Sequence, residues 1–231
     1  MRPSPGVRTW TRYFFYRAEC TKTTWTLRIS VVVVAALLMW LTPGLWTPWI
    51  GRSVVCAESV RPADALLLEN FDPDYLLFER AEELTRAGLV KRVLVPAQAL
   101  TYPGDPRPVS PVSAGFVEVM ARLAHLPTPE VVPIKEREPV VLNAAYQLRD
   151  FLRGHGITSV LIVTSAFRSR RSQLVYDRVF GDAGIAVSCL PVYGTVKPDN
   201  WTHTWHGIQE VTAQVLKLHY YRFYVMPFQL R

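Results

Sequence analysis

Hydrophobic and polar positions divide this chain into one uncharged stretch and a longer region where short apolar runs alternate with amphipathic ones. No charged residue lies between Arg28 and Arg52, and the interval contains VVVVAALLMWL followed by TPGLWTPWIG. As one helix, residues 29–51 would reach roughly 34 Å, enough to cross a hydrocarbon core of about 30 Å. Pro43 and Gly44 are tolerated in bilayers, and Trp40, Trp46 and Trp49 suit an interfacial belt. A single transmembrane anchor is therefore expected at 29–51. The alternative is a cleaved signal peptide, for which Val55-Cys56-Ala57 is a poor cleavage site after a long basic leader.

Beyond the expected anchor, short apolar runs of strand character alternate with amphipathic helical stretches. The run ADALLL predicts a strand at 63–68, bounded by Pro62 and Glu69-Asn70, and a helix follows over 74–87, closed by Gly88. A second strand is expected at 92–95, then a Pro-rich loop over 97–111. Next come an amphipathic helix over about 112–126, with Phe116, Met120 and Leu123 on one face, and a third strand at 131–134. Pro139 suits the first turn of a helix running to Arg153. The fourth strand is expected at 160–163, a helix at 169–180, a fifth strand at 186–190, and a last helix over about 204–222 that runs into the aromatic tail YYRFYVMPF.

Five strands alternating with helices predict an α/β fold: a three-layer, Rossmann-like, mostly parallel five-stranded sheet with right-handed crossovers, preceded by one N-terminal transmembrane helix. The expected organisation is a basic tail at 1–28, the anchor at 29–51, a linker at 52–62 and the α/β domain at 63–231. Ligands of such sheets bind outside the carboxyl ends of the strands. That edge presents Glu69, Asn70 and Asp72, then Pro96–Gln98, Glu136 and Glu138, the segment from Thr164 to Arg171, and Tyr193.

The most informative motif on that edge is VLIVTSAFRSRR, residues 160–171, where a buried strand ends at Thr164-Ser165 and three arginines follow within four residues. Free backbone N–H groups, the two hydroxyls, Arg168 and Arg171 can converge there on one anion, as in a phosphate site. The competing reading is a solvated first helical turn, although basic residues sit badly at the positive end of a helix unless an anion compensates them.

Charge then fixes orientation. Residues 1–28 hold six basic residues against the single acid Glu19, so five of the seven net positive charges sit in the tail. The N-terminus is expected in the cytoplasm, with everything after Arg52 outside the membrane, in the periplasm or its equivalent. The remaining chain is nearly neutral, which removes the case for nucleic-acid binding. Of the three cysteines, Cys20 falls in the tail and Cys189 in an apolar run suited to a buried thiol; no disulfide framework is expected. His203 and His206 lie three apart, but no third ligand is near, so no metal site is assigned. No cofactor can be named.

The fourth-strand motif, continued by SQLVYDRVF and GIAVSCLPV, resembles the signature of the YdcF/SanA/ElyC-like family. ERAEELTRAGLVKRVLV, EREPVVLNAAYQL and KPDNW with EVTAQVLKLHYY are similar to three further segments of that family. The resemblance covers about 63–221 and implies a Rossmann-like domain outside the membrane, linked to envelope integrity and to lipid-carrier or polysaccharide metabolism. On the matching positions it implies Glu136 as a catalytic acid/base, and Asn143, Thr164, Ser165 and Arg171 as ligand- or phosphate-binding groups, beside Arg168, which the strand-end motif itself offers. The chain departs from the family where Glu69-Asn70 replaces Gly-Gly, Leu77 replaces Arg, Pro96-Ala97-Gln98 replaces Ser-Gly-Gly, and Arg168 replaces His. Each lost glycine removes a close backbone approach to a ligand.

The expected function is thus that of an anchored envelope factor whose domain binds a phosphorylated or nucleotide-like ligand, with the membrane, a lipid carrier and other envelope proteins as partners. The alternative is a catalytically inactive scaffolding module. Asn143 has an equal structural reading, as a residue that caps or bridges a loop.

Overall fold

A computed structural model describes residues 25–69, 74–99 and 109–229. The basic tail, Cys20, Asn70, Asp72 and most of the Pro-rich loop lie outside the described residues.

The first described elements are helices α1 (Trp25–Leu41) and α2 (Pro43–Ser53). The unbroken helix expected over 29–51 is not what forms. Thr42, biased away from helix by the proline that follows, ends α1 with its N–H and hydroxyl both on the Leu38 carbonyl, at 3.0 and 2.6 Å. Pro43 then opens α2. Among the described residues no single helix is long and apolar enough to cross a membrane; α1 and α2 reach that length and composition only together, as a broken pair.

The α/β region follows as β1 (Ala63–Leu68), α3 (Tyr75–Arg86), β2 (Val90–Gln98), α4 (Pro111–Leu123), β3 (Glu130–Ile134), α5 (Val140–Gly154), β4 (Ser159–Ser165), α6 (Ala166–Gly181) and β5 (Ala186–Val192). A 3₁₀ turn (Trp201–His203) leads to α7 (Trp205–Tyr220), a π-helical turn (Tyr221–Val225) and the short α8 (Met226–Gln229). The five strands form one all-parallel sheet in the order β3-β2-β1-β4-β5. Strand order reverses between β1 and β4, so the topological switch point lies at their carboxyl ends.

Alternation along β1 shows how the layers form. Ala65 and Leu67 face a core built with α5 and α6, through Leu148, Leu152, Tyr176 and Phe180. Leu66 and Leu68 face the opposite core, with Leu77, Phe78 and Ala81 of α3 and Val117 of α4. A central parallel strand buried on both faces needs apolar residues at every position, which is what ADALLL supplies after Asp64. At the far end of α3 the chain reverses at Gly88, whose φ of 70° is the left-handed conformation that closes a helix.

The segment expected to be a free linker is not free. A compact unit runs from Gly44 to Arg231 and includes most of α2. Thr47 accepts a hydrogen bond from Trp201 Nε1 at 2.8 Å, Gly51 lies so close to Pro198 that a Cβ would fall 2.8 Å from its backbone, and Val54 is buried with Phe167, Trp201 and Val211. Cys56 and Cys189 form a disulfide, contrary to the expectation of a buried free thiol. The physical reason is an extra backbone pairing beside β5. Ser59 N–H donates to the Cys189 carbonyl at 2.9 Å and Cys189 N–H donates to Ser59 Oγ at 3.2 Å, which brings the two cysteine Cα atoms within 6.5 Å.

Candidate functional site

The fourth-strand motif folds more tightly than its sequence suggests. β4 passes into α6 with no intervening loop, because nothing between Ser165 and Ser169 breaks a helix, so α6 starts three residues earlier than expected and Arg168 falls in its first turn. Residues 168, 172 and 176 then lie four apart on one row of α6, facing the carboxyl end of β1.

A carboxylate, Glu69, waits at that end. It is only 4% exposed. Its Oε2 accepts the Thr164 hydroxyl at 2.7 Å and the Ser172 hydroxyl at 2.5 Å, and its Oε1 accepts Tyr176 OH at 3.3 Å. Burial and the Glu69 charge push the Tyr176 phenol well above its ordinary value, which keeps it a donor. Thr164, expected to bind phosphate, is fully buried and donates to this internal anion instead. The carboxylate satisfies the strand end from within.

The adjacent row of α6 faces α7. Arg171 places its guanidinium 5.4 Å from the ring centroid of Tyr221, a cation–π distance, while its Nε is buried without a hydrogen-bond partner. Gln214 of α7 is 4% exposed, and its Oε1 is likewise buried without a partner. Glu210, Gln214, Lys217 and Tyr221 recur at offsets of four, seven and eleven, forming a polar stripe along the face of α7 that meets α6. The charges feel one another. Burial lowers the Arg168 pKa and Arg171 lowers it further, against the opposing pull of Glu69 and Glu210. Lys217 is lowered by burial and then by Arg171 and Arg168, with Glu138 opposing. Burial raises Glu210, Arg168 opposes, and Asp74 adds to the rise.

Beside this stripe is a cleft of about 140 Å³ that includes Ser165, Ala166 and Phe167 at the start of α6, Asp74 at the N-cap of α3, and Glu210. Ser165 caps α6 by position but makes no side-chain capping bond. Its hydroxyl and the helix N-terminus therefore line a small polar recess shared with the carboxylates of Asp74 and Glu210.

The remaining expected residues lie elsewhere. Glu136 is exposed beyond β3, where Gln98 Nε2 donates to it at 3.4 Å. β3 is the sheet edge, three strand spacings from β4 or roughly 14 Å, so the structure does not gather Glu136 with the arginines. The acid from that loop that couples to Lys217 and Tyr221 is Glu138. Asn143 donates its Nδ2 to the carbonyls of Arg137 (3.1 Å) and Pro139 (3.2 Å), clasping the turn before α5. Pro139 itself is the N-cap, with Val140 opening the helix. His203 and His206 are exposed, and among the described residues no three His, Cys, Asp or Glu side chains are grouped as a metal site requires.

Sequence reasoning set Glu69 on the ligand-facing edge without this role, and missed Glu210, Gln214 and Lys217. The last three had a signal: polar residues at helical spacing inside the apolar face of Val211, Val215 and Leu218. Glu69 had none beyond its position after a buried strand. The disulfide had one, since the region after residue 51 holds two cysteines, an even number.

The fold and this edge together define a three-layer parallel α/β domain whose switch point is flanked by clustered cations. No family model, curated protein or solved structure matches the chain.

Proposed function

We propose that the chain is a bacterial inner-membrane factor, a divergent relative of the YdcF/SanA/ElyC-like proteins, whose extracytoplasmic domain binds the phosphoryl group of a lipid carrier or nucleotide-like envelope metabolite. The observation that carries this reading is Arg171: a cation with a buried, unpartnered Nε, packed beside Arg168 and Lys217, which it disfavours electrostatically. A buried donor without an acceptor costs about 1–3 kcal/mol, and clustered cations repel, so an arriving anion relieves both. Binding rather than catalysis fits the geometry. The strand-end hydroxyl of Thr164 is committed to Glu69, and Glu136 stands apart from the cations.

Location is inferred from two features. The uncharged stretch has its basic flank on the N-terminal side, and the Cys56–Cys189 bridge belongs in an oxidising compartment. An Asp150→Cys substitution on the exposed surface of α5, in a Cys20→Ser chain, should react with an impermeant thiol reagent in intact spheroplasts; reaction only after lysis would reverse the topology.

The ligand reading is tested by calorimetric titration of the detergent-solubilised chain with inorganic pyrophosphate and with dodecyl phosphate. Saturable binding that Arg171→Ala weakens at least about tenfold supports it. A second reading, an inactive scaffold, is favoured by the self-contained bonding of Glu69. Absence of binding to either probe would establish it over the first.

A further inference from the structure

The C-terminal helix carries an exposed aromatic row that the phosphate site does not use. Leu216, Tyr220, Phe223, Tyr224 and Phe228 are between 48 and 69% exposed. Tyr220 stacks on Tyr224 at 5.4 Å and Tyr224 meets Phe228 at 5.9 Å, so the row is continuous across the π-helical turn. That turn keeps Tyr221 and Val225 buried in the core while their neighbours face outward.

What lies opposite follows from connectivity and charge. The inner faces of α2 and α7 share one apolar cluster, with Ile50 from α2 and Ile208, Val215 and Leu218 from α7 around Val54, Trp201 and Val211. The outer face of α2 exposes Leu45 and Trp49. α2 follows the apolar α1 after a single residue and is held on the domain by the Trp201–Thr47 bond and, just beyond it, the disulfide. The flank formed by α2 and α7 is thus tied by a minimal length of chain to the segment that seeks the bilayer. Residues 211–231 contain no acid, whereas Lys217 and Arg222 sit among the aromatics. Two copies meeting through this row would bring like charges together, while an anionic surface would attract them.

We propose that α7, the π-helical turn and α8 form an interfacial membrane-docking helix, which lays its aromatic row into the headgroup layer of an anionic phospholipid bilayer. Tyr, Trp and Phe flanked by basic residues are the side chains that favour that layer, with apolar faces buried about 5–10 Å into the headgroup boundary. Docking rests on the anchored reading of residues 29–51. It also brings the α6–α7 cation cluster to the membrane surface, where a lipid-borne phosphate would be presented.

The test uses the full chain reconstituted in vesicles of phosphatidylglycerol and phosphatidylcholine, with spin labels at Phe223→Cys, Val33→Cys or Asp150→Cys in a Cys20→Ser background. The label at 223 should be about fivefold or more less accessible to a water-soluble nickel relaxant than the label at 150, and more accessible to oxygen, with the contrast weakening in pure phosphatidylcholine. Equal accessibility at 223 and 150 overturns the proposal. So does dipolar broadening at 223 between copies that persists in detergent, which would make the row a contact between two chains. The label at 33 reports the anchor separately: lipid exposure at 33 with water exposure at 223 defeats docking alone, and water exposure at 33 defeats the anchor.

Discussion

Two rows of polar side chains on α6, one residue apart in register, meet different surroundings. Ser172 and Tyr176 turn toward the end of β1, where with Thr164 they share one carboxylate and every hydroxyl has an acceptor. Arg171 turns toward α7, where its Nε and the Gln214 amide oxygen are buried without partners. A buried polar cluster that closes on itself contributes to the fold, whereas one that leaves donors unmet on a neighbouring surface is poised for something external. The difference separates scaffold from candidate site within a single helix, and it inverts the expectation from sequence, where Thr164 and Arg171 belonged to the same anion seat.

The comparison breaks most visibly at Glu69. Glu69→Ala leaves three hydroxyls buried without their acceptor and should cost about 3–5 kcal/mol, lowering the melting temperature by about 10 °C. A loss under about 1 kcal/mol would mean the closed cluster is not closed. Removing the bridge through Cys56→Ser with Cys189→Ser should cost about 3 kcal/mol in denaturant unfolding, since it ties residues 133 apart, while leaving pyrophosphate affinity unchanged. Arg171→Ala should do the opposite: affinity for pyrophosphate falls by about tenfold to a hundredfold, with unfolding moved by less than about 0.5 kcal/mol.

Smaller effects sharpen the contrast. The Glu210 carboxyl is raised above its ordinary value of 4.5, chiefly by burial. The folded state therefore holds this proton more tightly than the unfolded chain, and stability declines as pH rises from about 4.5 through the raised value. Glu210→Gln should flatten that decline in a pH series of melting curves; a steeper decline would show that the group is stabilised by its charge. Glu136→Gln should change neither stability nor pyrophosphate affinity by more than about twofold. Abolished binding would bring the third-strand end into the site.

Local pattern carried the fold. All five strands and the helices between them form close to where short apolar runs and period-3.6 patterns place them, because both cores are built from contiguous apolar segments such as ADALLL and VLIV. Errors cluster where a distant partner decides. Thr164 looks like a ligand group until Glu69, 95 residues away, takes its proton donor. Cys189 looks like a core thiol until Ser59 pairs with its backbone. Asn143 was balanced between ligand and loop, and the turn at Pro139 uses both hydrogens of its amide. The helix break at Thr42 has its cause in Pro43, within a stretch whose hydrophobicity alone favours one continuous helix.

The Cys56–Cys189 bridge also dates the domain's assembly. Cys56 is made first, and its partner follows 133 residues later, after four of the five strands. The bond can close only once β5 has arrived beside the segment that follows α2. Its closure thus marks the arrival of the last strand, and a chain truncated before residue 189 leaves Cys56 unpaired.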